Sequence, residues 1–124
     1  MKFSTNIACL SAVVLISTLA IPTAQAQNIN VGPVTITSMG CGMGGPAGTP
    51  GTACFIYISG PSVGPSGCSS NSIRWDPGAS PNGQIAVAQL TAAFVSGEQV
   101  FFVLNNACWP EWPSYPTIWY YQLM

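Results

Sequence analysis

The chain has 124 residues, with two basic and three acidic side chains, no histidine and a formal net charge of −1. Most hydrolytic, transfer and metal-dependent mechanisms rely on histidine, lysine or clustered carboxylates, and with no histidine and so few charged groups the composition argues against an enzyme. It also offers no basic patch for phosphate backbones or anionic lipid, which excludes nucleic acid and membrane surfaces as expected partners.

Lys2, the apolar run Ile7 to Ala20 and the small-x-small triplet Ala24-Gln25-Ala26 read as a cleavable signal peptide over residues 1–26. The apolar run is too short for a membrane span. Cys9 would leave with the leader, and no cysteine stands at the cleavage point to carry a lipid. The mature chain would run from Gln27 to Met124, 98 residues in one domain, with Arg74 against Asp76, Glu98 and Glu111 for a formal charge of about −2. The expected location is secreted or periplasmic, with no membrane insertion after cleavage.

Val34-Thr35-Ile36-Thr37 alternates apolar and polar and is predicted as the first strand. In the next loop Gly40, Gly42 and Gly45 satisfy GxGxxG, but Pro46, Pro50 and Gly51 forbid the helix a dinucleotide site requires, and no acidic residue follows at the right distance. Met39, Cys41 and Met43 place soft donors at alternating positions, a pattern suited to Cu(I). An even cysteine set in an oxidising compartment favours a disulfide at Cys41 instead, so neither metal nor cofactor is expected.

Ala53 to Ser59 puts Cys54, Ile56 and Ile58 on one face and Phe55 and Tyr57 on the other, as in a strand covered on both sides. Cys41, Cys54, Cys68 and Cys108 make two bridges with three possible connectivities. The turn-rich segment between Cys54 and Cys68 favours that pairing, leaving Cys41 with Cys108. Ser72 to Asp76 is the third strand, with Ile73 and Trp75 inward and Ser72, Arg74 and Asp76 outward. Arg74 and Asp76 are expected to pair with each other at the surface, the alternative being a guanidinium clamp on a ligand carboxylate.

Asn82 is the expected cap of a helix over Gln84 to Ser96, stopped by Gly97. Ala86, Val87, Leu90, Ala93 and Phe94 form its core stripe. Ala88, Ala92 and Val95 make the opposite face apolar, either as ordinary small surface residues or as a subunit contact. Val100 to Leu104 and Thr117 to Leu123 complete five strands.

Between these last strands, Cys108-Trp109-Pro110-Glu111-Trp112-Pro113-Ser114-Tyr115-Pro116 is held extended by its prolines. Trp109, Trp112 and Tyr115 beside Glu111 suit a carbohydrate platform, or else cap the core. With Arg74 these four residues are the candidate ligand-binding set. A glycosidase would need two of Asp76, Glu98 and Glu111, of which only Asp76 with Glu111 is worth testing.

The order of three strands, one helix and two strands resembles a mainly β, five-stranded OB-fold-like barrel, here stapled by two disulfides. The segments Val34-Thr35-Ile36-Thr37, Cys54-Phe55-Ile56, Ser66-Gly67-Cys68-Ser69, Ile73-Arg74-Trp75, Ala86 to Gly97 with Val100, and Tyr115-Pro116-Thr117-Ile118-Trp119 together resemble the binding subunits of subtilase-type cytotoxins and similar small exported bacterial proteins. That resemblance implies a non-catalytic domain that forms a pentameric homo-oligomer and binds cell-surface glycans, and it implies the Cys54 to Cys68 bridge. The toxin subunits place a serine where this chain has Gly32, which points away from an acidic sugar. The expected function is an exported glycan-binding module, the alternative being an envelope structural or protein-interaction protein.

Overall fold

The computed structural model describes residues 27–44 and 51–124. The predicted leader, residues 1–26, lies outside the described residues. Five strands and one helix follow in the order β1 (Ile29–Cys41), β2 (Cys54–Ile58), β3 (Ser72–Trp75), α1 (Pro81–Ser96), β4 (Gln99–Cys108) and β5 (Pro116–Leu123). The strands close into a barrel in the spatial order β1-β2-β3-β5-β4. The chain is therefore mainly β with one helix, and has the OB-like element order expected.

Closure depends on β1 serving two partners. It pairs antiparallel with β4 from Ile29 to Thr35 and with β2 from Ile36 to Cys41. This explains a strand of 13 residues where alternation alone marks four. The alternation is broken by a register shift between Val31 and Val34. Gly32 occupies that shift at φ 115°, and a Cβ there would stand 2.9 Å from the Val100 carbonyl oxygen. Glycine is thus required by the backbone at this position, whatever a relative carries.

Strands β1 to β4 send side chains into the barrel, and β5 adds the partly buried Ile118, Tyr121 and Leu123. Val31, Ile36, Ile56, Ile58, Ile73, Trp75, Val100, Phe102 and Leu104 meet Ala86, Leu90 and Ala93 of α1 in one core cluster. Ser80 caps the helix, with Oγ accepting from the Gly83 N–H at 3.3 Å, and Pro81 takes the first helical position. The predicted cap, Asn82, lies two residues inside. Serine before proline is the better start because Pro81 has no N–H to satisfy. Gly97 ends the helix in the left-handed region as expected. Phe94, predicted in the core stripe, is 38 % exposed; the buried face of the helix is Ala86, Leu90 and Ala93.

Both disulfides form, but with a connectivity other than the favoured one: Cys41–Cys54 and Cys68–Cys108. The register of β1 on β2 sets Cys41 directly opposite Cys54, with Cα atoms 4.0 Å apart. The turn-rich loop after β2 does close, but it closes higher, where the Ile58 N–H donates to the Asn71 carbonyl. Cys68 is thereby carried to the end of β4. The oxidised Cys41 has no thiolate for copper. Two disulfides in a domain of this size mark maturation in an oxidising, non-cytoplasmic compartment. No helix among the described residues is long and apolar enough to cross a membrane.

Candidate functional site

The predicted ligand-binding residues divide between two sides of the molecule. Arg74 points out of the barrel from β3 but is not at the surface: it is only 6 % exposed. Its Cζ lies 3.8 Å from the Tyr115 ring centroid, 4.1 Å from that of Trp112 and 5.2 Å from that of Phe55. The β4–β5 loop folds back over β3 through two tight turns, with Trp112 N–H donating to the Trp109 carbonyl and Tyr115 N–H to that of Trp112. The two rings then meet edge to face, 5.1 Å apart.

The expected Arg74–Asp76 pair is not formed. Asp76 Oδ1 instead accepts the Gly78 N–H at 2.7 Å, while Arg74 is roofed by a loop that begins more than thirty residues further along the chain. Ser72, predicted outward, is also fully buried, on the same face of β3. Glu111 stands exposed at the loop tip, and Trp109 is turned the other way and is 7 % exposed.

Trp109 faces the second region, a cleft of about 540 Å³ between α1 and β5. It exists because β3 and β5 touch at a single register pair, Arg74 with Thr117, after which β5 departs from β3. Trp75, Asp76, Ser80, Asn82, Gly83, Ile85 and Gln89 form one wall; Thr117, Ile118, Trp119, Tyr120 and Tyr121 form the other, with Trp109 at the base.

Trp119 and Tyr120 line the same cleft although they are adjacent in a strand, where successive side chains should oppose each other. The cause is a bulge. Leu104 pairs with Ile118 and Val103 with Tyr120, so Trp119 is an extra residue without a β4 partner. Trp119 is 67 % exposed and Tyr120 is 50 % exposed.

The opposite wall is held by hydrogen bonds to helix and strand. Trp75 Nε1 donates to the Gly83 carbonyl at 3.0 Å, locking the first turn of α1 to the end of β3. Tyr121 Oη donates to Gln89 Oε1, tying α1 to β5 and leaving the Gln89 Nε2 donors uncommitted. Burial pushes the Tyr121 hydroxyl above its usual range, so it remains a neutral donor. Asp76 is the only carboxylate of the cleft lining.

The lining is thus indole and phenol rings, amides, hydroxyls and one carboxylate. It suits a ligand with an apolar face and a rim of hydroxyl groups, and its volume lies in the range of small-molecule sites. Among the described residues no group of histidine, cysteine, aspartate or glutamate side chains is arranged to hold a metal ion. Sequence reasoning passed over Trp119, Tyr120 and Gln89, and the one available signal was the run Trp119-Tyr120-Tyr121 in a strand that needs only alternate apolar residues. No family model, curated protein or solved structure matches this chain.

Proposed function

We propose that the chain is an exported, non-catalytic module that binds a neutral glycan in the cleft between α1 and β5. The observation that carries this reading is the bulge at Trp119, which turns two consecutive exposed aromatics into one cleft faced by the uncommitted amide donors of Gln89 and by the Asp76 carboxylate. A sugar's apolar face stacks on an indole while its hydroxyls bond to groups such as Asp76 and Gln89. A lone carboxylate with no cation in the lining repels acidic sugars and accepts hydroxyls. Hydrolysis by two carboxylates has no support here, because Glu111 and Glu98 lie outside the cleft lining.

Export to the periplasm or beyond is supported by the leader pattern together with the two disulfides. Similarity to cytotoxin binding subunits would add pentamer formation, which the mass of the purified protein in solution tests. A second reading, docking to another envelope protein, is supported by the outer face of α1, where Ala88 and Ala92 are exposed and Val95 is 80 % exposed. A glycan array probed with the mature protein separates the two. Saturable binding to neutral glycans in preference to sialylated ones is expected, and binding to none of them would sink the glycan reading.

A further inference from the structure

We propose that Arg74 is a binding site for a carboxylate group, separate from the cleft. Arg74 is the only arginine in the sequence, and its guanidinium offers five N–H donors and no acceptor. It is nevertheless more than nine-tenths buried, and among the described residues no carboxylate pairs with it. Three rings lie against the cation, those of Trp112 and Tyr115 perpendicular to each other, but ring faces are a poor substitute for the oxygen acceptors that guanidinium N–H groups take.

The deficit is visible at the atoms. Arg74 Nε is buried without a hydrogen-bond partner, and so is Ser72 Oγ, two residues away on the same face of β3. They are the two buried side-chain polar atoms left unsatisfied among the described residues. Orphaned buried donors are rare in native proteins, and two on the same face of one strand, one of them on a cation without a carboxylate partner, mark a place where an acceptor belongs.

A carboxylate fits this place better than other anions. It is planar and takes two parallel N–H bonds from a guanidinium. Its single charge neutralises the single cation, whereas a doubly charged phosphate or sulfate would leave a net negative charge among Phe55, Trp112 and Tyr115. The β4–β5 loop, whose two aromatics form the roof, covers the guanidinium.

Because the sequence has one arginine, the side-chain Nε–H gives a single correlation in a ¹H–¹⁵N spectrum of the intact protein, with no variant needed. Titration with sodium acetate is expected to move that signal saturably, with glucuronate and N-acetylalanine showing whether an acidic sugar or a peptide terminus fits better. Sodium chloride at equal ionic strength should give no saturation, and Trp119→Ala should leave the acetate response unchanged. An Nε–H signal indifferent to all three carboxylates, or moved equally by chloride, would overturn the proposal. Failure of the glycan reading would leave this response intact.

Discussion

Replacing Gly83 by alanine sets two rules against each other. In the first turn of a helix, Gly→Ala raises helix propensity by up to about 1 kcal/mol. At Gly83 a Cβ would stand 2.8 Å from the Asp76 carbonyl oxygen and 3.0 Å from both Cα and O of Pro77, all of them backbone atoms that have no rotamer to escape into. Overpacking of this kind costs about 1–3 kcal/mol. The helix start must also retreat from β3, which stretches the bond from Trp75 Nε1 to the Gly83 carbonyl, and a buried indole N–H deprived of its acceptor adds roughly 1 kcal/mol or more. The expected net effect is a loss of about 2 kcal/mol, lowering Tm by roughly 10 °C for a domain of this size. Denaturant unfolding of both proteins under oxidising conditions measures it. An alanine variant as stable as the parent, or more stable, would refute the close approach of α1 to the Asp76–Pro77 backbone.

Four further outcomes follow from the same structure. Non-reducing peptide mapping is expected to find Cys41 linked to Cys54 and Cys68 to Cys108. Removing the second bridge by paired alanine substitution should cost about 4 kcal/mol against about 3 for the first, since their sequence separations are 40 and 13. Trp112→Ala should cost about 1–2 kcal/mol and raise amide hydrogen exchange at Trp109, Trp112 and Tyr115, because the loop would lose one of the two rings nearest the guanidinium. Tyr121 gives a pH dependence with a definite sign. Its folded value lies above the ordinary 10.0, so its contribution is complete below that pH and is lost as pH rises through the folded value. Tyr121→Phe should flatten that alkaline decline.

The parts of this fold that sequence reasoning reached are those set by local pattern. Cys54 to Ile58 alternates as a strand, and it is one, buried on its inner face and half-buried at Phe55 and Tyr57 on the other; Gly97 marks a helix end, and it takes the left-handed conformation there. The parts it missed depend on which strand lies opposite which. Turn composition between Cys54 and Cys68 suggested a bridge, but the β1–β2 register places Cys41 across from Cys54. Arg74 was assigned to solvent because outward positions of a strand usually are, and the roof of Trp112 and Tyr115 comes from a distant loop. Trp119 owes its direction to a one-residue mismatch between β4 and β5, which no single-strand periodicity records. The same mismatch is why the glycan site is proposed for the cleft and not for the proline-rich loop tip. Only Trp109 of the predicted aromatics lines the cleft.

The central claim is that the cleft between α1 and β5, and not the proline-rich loop tip, receives a neutral glycan. The most direct test compares the wild-type protein with Trp119→Ala and Trp112→Ala on the strongest neutral glycan of an array, with unfolding measured in parallel. Trp119 is 67 % exposed, so its removal should change stability little while weakening binding by at least about tenfold, corresponding to the loss of one aromatic hot spot. Trp112→Ala should retain the glycan. Undiminished binding by Trp119→Ala, or its loss in a folded Trp112→Ala, would contradict the account.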